Sequence, residues 1–263
     1  MTTTISKIIQ AALLAVAYCS SGSCFAVEPA MRHYAVLSLI GDNISVVFER
    51  GTTGSHLDQN NLQKIPIPNT ELDSAALLAM DSLIHEQQPS VKKELLISND
   101  AGLYRLQDDF FRGNAAADVV LGGLKEALKS KPAATHLFLI TKHRGDARLK
   151  LSEDTIGHGK LEGVGFYIDN RTWVQREDTN EIGLGLIVPY AFITVRLIDT
   201  ATWTVVGQKT LDSSSAYANV GEENQSLNAW GALSPEQKTV ALKDIIHTAV
   251  SQAGKSVLAG AVR

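Results

Sequence analysis

Few stretches of this 263-residue chain bring chemistry-bearing side chains together. The densest is Thr141-Lys142-His143-Arg144-Gly145-Asp146-Ala147-Arg148, directly after the most apolar run of the chain. Ligands of open α/β sheets sit outside the carboxyl ends of strands. Lys142, His143, Arg144 and Arg148, with the carboxylate of Asp146, could therefore hold an anion there. The same composition also makes an ordinary solvated turn. Arg144-Gly145-Asp146 matches a cell-adhesion tripeptide, but three residues recur by chance too often to carry weight.

The stretch from Asp169 to Glu181 is polar and charged, yet it contains Trp173 between Arg171 and Arg176. Strand-like runs on either side predict a long hairpin tip or lid, and function concentrates in long loops. Trp and Arg dominate interface energetics, so Arg171, Trp173 and Arg176 suit contact with a protein or a glycan. The competing reading folds Trp173 back over the sheet edge.

Other candidates are weaker. His158 lies between Gly157 and Gly159 and could act as a base. A metal site would want a second ligand two to four residues away, and only Glu162 is near, so a plain turn is the simpler reading. Gly51-Thr52-Thr53-Gly54-Ser55 lacks the Lys-Ser/Thr and the directly following helix of a phosphate-binding loop, and reads as a turn. Asp108-Asp109 and Glu222-Glu223 are adjacent pairs whose side chains diverge on any regular element. No Gly-x-Ser-x-Gly elbow is present, and His33, His56, His85, His136 and His247 are scattered, with His136 and His247 on a strand and a helix as structural histidines. No catalytic residue, cofactor or metal is expected.

The elements that must position these residues follow from periodicity. Tyr34–Ile40 and Ile44–Glu49 are β-rich runs split by Gly41-Asp42-Asn43, which predicts a hairpin, and their near-continuous hydrophobicity predicts strands covered on both faces. Residues 51–70 read as loop. Thr70 is placed to cap a helix carrying Leu72, Ala76, Ala79, Leu83 and Ile84, closed by Pro89. Glu94–Ser98 is a short strand, broken by Asn99-Asp100-Ala101-Gly102. A second helix follows Asn114. His136–Thr141 is the strongest buried-strand signal, Leu161–Ile168 another strand, and Ile187–Ile198 with Trp203–Thr210 a second hairpin around Asp199-Thr200-Ala201-Thr202. Ser234-Pro235-Glu236-Gln237 combines a capping Ser, Pro at the first helical position and Gln at the capping-box position, and opens a long amphipathic C-terminal helix. The expectation is an α/β fold: a single domain with a mixed β-sheet, hairpins and about three helices.

The compartment comes from the other end. Residues 1–26 read as a cleavable signal peptide: Lys7, an apolar run from Ile8 to Tyr18 too short to span a bilayer, and small residues before Ala26. The remainder, residues 27–263, is expected to form the single domain. Both cysteines, Cys19 and Cys24, fall in the leader, which would leave the exported chain without thiol chemistry. Neither sits in a good lipobox, so lipoprotein anchoring is the secondary expectation. Without Lys7, the 24 Lys+Arg fall to 23 against 28 Asp+Glu, a net charge of −5. That balance argues against nucleic acid, whose binding needs phosphate neutralisation. No second apolar stretch is long enough to span a membrane.

Three segments carry a resemblance: Gly159-Lys-Leu-Glu-Gly-Val-Gly-Phe-Tyr167, Ile182-Gly-Leu-Gly-Leu-Ile-Val-Pro-Tyr-Ala-Phe192 and Val195-Arg-Leu-Ile-Asp-Thr-Ala-Thr-Trp203. Together they resemble a group of uncharacterised exported proteins of proteobacteria. More loosely, Tyr34-Ala35-Val36-Leu37 and the late Leu197-Ile198-Asp199-Thr200 turn resemble the α/β periplasmic modules of curli-secretion and penicillin-binding-protein-activator lipoproteins. The resemblance implies a periplasmic location and no catalytic residue. The reading is thus an exported periplasmic, non-enzymatic envelope binding or assembly module, oligomeric or not, with an envelope protein or glycan as partner. A periplasmic hydrolase acting on an anionic substrate is the alternative.

Overall fold

The computed structural model describes residues 32–51, 60–111, 116–128, 134–151, 154–175, 179–220 and 228–261. Residues 1–26, read above as a leader, with their two cysteines, and Gly54-Ser55, Asn114 and Arg176 lie outside these residues.

Among the described residues, thirteen strands and four α-helices follow one another: β1 (His33–Ser38), β2 (Asn43–Phe48), β3 (Asn61–Pro66), α1 (Glu71–Gln87), β4 (Lys92–Leu96), α2 (Ala101–Phe111), α3 (Ala117–Ala127), β5 (His136–Lys142), β6 (Arg144–Asp146), β7 (Leu149–Lys150), β8 (Thr155–Ile156), β9 (Lys160–Glu162), β10 (Val164–Gln175), β11 (Ile182–Asp199), β12 (Thr204–Ser214), β13 (Tyr217–Ala218) and α4 (Pro235–Ala261). Nine of the strands form one mixed sheet. This is the expected mixed α/β class with its long C-terminal helix.

The pairing registers reduce the nine strands to five columns. β5 runs antiparallel to β11 as far as Lys142↔Ile193, and β10 resumes the same edge of β11 at Val164↔Ala191. They are one strand interrupted by an excursion, residues 143–163. Gly163 closes the excursion: it adopts φ 64°, a region open to glycine, donates to the His143 carbonyl at 3.0 Å and accepts from Phe192 N–H at 2.8 Å. β1 and β2 repeat the arrangement, β1 parallel to β5 and β2 parallel to β10. The expected hairpin between β1 and β2 does not form. Both runs are apolar throughout, and hairpin pairing would leave one of their faces in water, whereas in-line placement buries both. β4 flanks β1 in parallel, β3 flanks β2 antiparallel, and β12–β13 flank β11.

Alternation along the strands divides the core. Tyr34, Val36, Phe138, Ile140, Ile193 and Val195 face α1 and α4. Ala35, Leu37, Leu137 and Leu139 face α2 and α3 on the opposite side. Tyr167, Val188, Tyr190 and Phe192, on that same side, are covered by Ala147, Leu149 and Leu161 of the excursion.

Several local expectations change. Asn61–Pro66 is an edge strand rather than loop; its exposed side chains erase the alternation that signals a strand. A helix missing from the expectation occupies Ala101–Phe111, because Asp100 does not break the chain but caps it, accepting from Gly102 N–H at 2.7 Å. Thr70 makes no side-chain cap; Asn69 accepts from Glu71 N–H instead, at 3.2 Å. The capping box of α4 forms as expected, with Gln237 N–H to Ser234 Oγ at 3.2 Å and Ser234 N–H to Gln237 Oε1 at 2.8 Å. The hairpin around Asp199–Thr202 forms too, Asp199 accepting from the N–H groups of Ala201 and Thr202 at 2.9 Å each.

Candidate functional site

The two breaks in the long strands lie side by side, and a polar cluster fills them. Asp73, in the first turn of α1, reaches through the gap after β1. It accepts from Ser38 Oγ at 2.6 Å, Ile40 N–H at 2.9 Å and Gly41 N–H at 3.1 Å, and from the Tyr104 hydroxyl of α2 at 2.7 Å. A Cβ on Gly41 would collide with the Asp73 carboxylate, so this approach requires glycine. Burial pushes the Asp73 carboxyl above its ordinary pKa, against the opposing pull of Ser38, Tyr104 and Ile40. Burial and the facing Asp73 also push the Tyr104 hydroxyl up. Gln107, also from α2, donates to the Leu39 carbonyl and accepts from Lys142 N–H. Lys142, only 4% exposed, pairs with Asp42. Beside this cluster, at the carboxyl ends of β1 and β4, opens a cleft of about 350 Å³ lined by Asp42, Asn69, Thr70, Asn99, Tyr104 and Arg105 among others.

The basic stretch after β5 does not act as one unit. Strand alternation sends Lys142 into the break and its neighbour His143 to the other face. There His143 stacks on Phe192, ring centroids 5.4 Å apart, and bonds through Nε2 to Asp212 of β12. Arg144 and Asp146 stand on β6, paired with β9, where Asp146 forms an ion pair with Lys160. Lys160 first, then Arg148, holds the Asp146 carboxyl below its ordinary pKa. The residues are near in sequence, but their charged ends are distributed over three environments.

The two strands that lead to the hairpin tip stay paired. β10 continues past its pairing with β2 to Gln175, in register Trp173↔Leu184 and Gln175↔Ile182, after a bulge between Asp169 and Trp173. Asp169 builds the bulge by accepting from Arg171 and Thr172 N–H at 2.7 and 3.0 Å. Trp173 points away from the protein, 71% exposed, and Ile182 diagonally across is 66% exposed. Arg171 is not beside them: its guanidinium lies against Gly51.

Sequence spacing gave no hint of the group formed by Glu49, Asp169 and His158. Glu49 follows β2, its N–H bonded to the Ile168 carbonyl at 2.9 Å, and its carboxyl hydrogen-bonds Asp169. His158 Nδ1 approaches Glu49 Oε1 at 3.6 Å, and the His158 carbonyl accepts from Asn60 at 2.8 Å. Burial, then the adjacent Asp169 charge, pushes Glu49 up to about 7, while the hydrogen bonds of Asp169 hold it below its ordinary value in spite of burial. The two neighbouring carboxyls are thus pushed in opposite directions, Glu49 up and Asp169 down. Among the described residues, no three His, Cys, Asp or Glu side chains are grouped to hold a metal ion.

No protein-family model matches the chain, and no curated protein matches it. Among solved structures, a hypothetical protein from Chlamydia trachomatis is similar at 12% identity, over 87% of this chain and 99% of its own, with a TM-score of 0.34. A Xanthomonas campestris protein of the DUF330 family model is similar at 9% identity, over 88% and 90% of the two chains, with a TM-score of 0.38. Similarity of this degree transfers neither a ligand nor an activity. Among the described residues, no helix is long and apolar enough to cross a membrane, which says nothing of strands.

Proposed function

We propose that this chain is an exported, non-enzymatic binding or assembly module of the bacterial envelope, and that the β10–β11 tip is the surface it presents to an envelope protein or glycan. The supporting observation is Trp173, 71% exposed on a hydrogen-bonded ribbon with Ile182 beside it. A large aromatic side chain held in water by ordered backbone has no packing role to explain it, and interface hot spots are enriched in such residues. Export rests on the leader read at residues 1–26. The hydrolase alternative draws less support, because Lys142 and His143 diverge and the basic residues after β5 do not converge on one anion.

The test is site-specific photo-crosslinking in cells from position 173 and, as a control, from Lys92 on the far edge of the sheet, combined with sedimentation against purified peptidoglycan. The reading expects a discrete adduct or co-sedimentation from position 173 alone, lost in Trp173→Ala when presented from Ile182. Equal adducts from both positions, with no glycan binding, would remove the tip from the function.

A further inference from the structure

The sheet face beyond His143 holds a half-buried cation, Arg196, that no carboxylate among the described residues neutralises. Arg196 lies near the carboxyl end of β11, after a run that is apolar or hydroxylic. Its Nε donates to Gln208 Oε1 at 2.8 Å, its Nη1 donates to Thr141 Oγ1 at 2.8 Å, and its guanidinium carbon stands 5.0 Å from the centre of the Phe110 ring. All three partners are neutral. Burial alone lowers its pKa. A cation half withdrawn from water attracts an opposite charge more strongly than one in bulk solvent.

The surroundings are those of a receptor for that charge. Residues directly opposite in antiparallel pairs share a face, and the registers set out three rows across β5, β11 and β12: Leu139, Arg196 and Gln208; Thr141, Thr194 and Thr210; His143, Phe192 and Asp212. Phe110 of α2 stands over one end. The excursion closes the other, where a side chain at Gly145 would touch Phe192. Between these two covers the strip is polar. Thr194 and Thr210 bond to each other at 2.9 Å, which uses one of their two hydroxyl hydrogens. Thr141 accepts from Arg196, leaving its own hydrogen to donate. The strip's one carboxylate, Asp212, is held by His143 at the far row.

We propose that Arg196, with the hydroxyls of Thr141, Thr194 and Thr210 and the amide of Gln208, forms a binding site for an oxyanion, the carboxylate or phosphate group of a ligand lying across β11 between α2 and the excursion. The guanidinium offers a planar edge with N–H donors beyond the two already used, the geometry that carboxylates and phosphates accept. The hydroxyls supply donors at its side. The site is separate from the Trp173 tip and does not depend on it.

The test titrates the full-length chain with sodium acetate and with inorganic phosphate at constant ionic strength. It is read by thermal shift and by the Arg196 Nε–Hε cross-peak in NMR spectra. Wild type should show saturable stabilisation and a shifted cross-peak with at least one anion. A response to acetate alone assigns a carboxylate ligand, and one to phosphate alone a phosphate ligand. Arg196→Met, which keeps an apolar stem against Phe110, should fold and bind about tenfold or more weakly; Lys92→Gln, on an exposed cation elsewhere, should respond like wild type. A wild-type cross-peak indifferent to both anions, or an Arg196→Met chain stabilised as much as wild type, overturns the assignment.

Discussion

Asp73 on α1 accepts a hydrogen bond from the Tyr104 hydroxyl on α2 at 2.7 Å, and the two helices lie on opposite faces of the sheet. The bond passes through the gap between β1 and β2, where a continuous strand would have blocked it. It makes the interruption of the strand a structural joint, with four donors converging on one carboxylate.

That joint predicts a large effect of a small change. Asp73→Ala would strand the buried donors of Ser38, Ile40, Gly41 and Tyr104, and should destabilise the fold by about 3–5 kcal/mol. Tyr104→Phe removes a single donor and should cost about 1 kcal/mol. Urea unfolding of both variants checks the order; equal losses would show that the carboxylate does not organise the break.

The neighbouring Lys142–Asp42 pair should respond asymmetrically. Lys142 is 4% exposed on its side chain and Asp42 27%. Asp42→Ala leaves a buried ammonium, and about 3 kcal/mol of destabilisation is expected. Lys142→Met leaves a carboxylate that water can reach, and should lie within about 1 kcal/mol of wild type. A thermal melt in which Lys142→Met is the worse of the two contradicts this arrangement.

Glu49 gives the protein a pH dependence. Its pKa stands at about 7 in the folded chain against an ordinary 4.5. The folded state thus binds the proton more tightly, so its contribution is complete below pH 4.5 and is lost as pH rises through 7. Glu49→Gln should remove that slope and stabilise the chain above pH 7 by about 1–2 kcal/mol, allowing for screening at a partly exposed position. Denaturation curves between pH 4.5 and 8.5 measure it; an unchanged slope in the variant would place the titration elsewhere.

Trp173→Ala should leave stability within about 0.5 kcal/mol of wild type, because the side chain packs against little. A melting temperature lowered by more than a few degrees would mean the ring is structural. Its effect should appear in partner binding alone.

The strands with the clearest sequence signatures are those buried on both faces. His136–Thr141 and Ile187–Ile198 carry enough apolar residues to read as interior strands. The α4 start is equally plain, because a capping box is local. Edge strand β3 and helix α2 escaped, the first because exposure removes alternation, the second because Asp100-Ala101-Gly102 reads equally as a turn and as a cap. Of the candidate site, the exposure of Trp173 was one of two readings open to the sequence. The dispersal of Lys142, His143 and Asp146 was not legible, since it depends on which face each residue meets.

What the sequence determined by itself is the set of short-range facts: the composition of residues 1–26, the period of the buried runs, the capping box of α4, the class of the fold. Those depend on residues within a few positions of one another. Only the tertiary structure decided that β1 and β2 run in line, that Asp73 meets Tyr104 through the resulting gap, that Glu49 meets Asp169, and that Arg196 meets Thr141. Each joins residues far apart in the chain, and the pairing that unites them is set by which faces the sheet must bury.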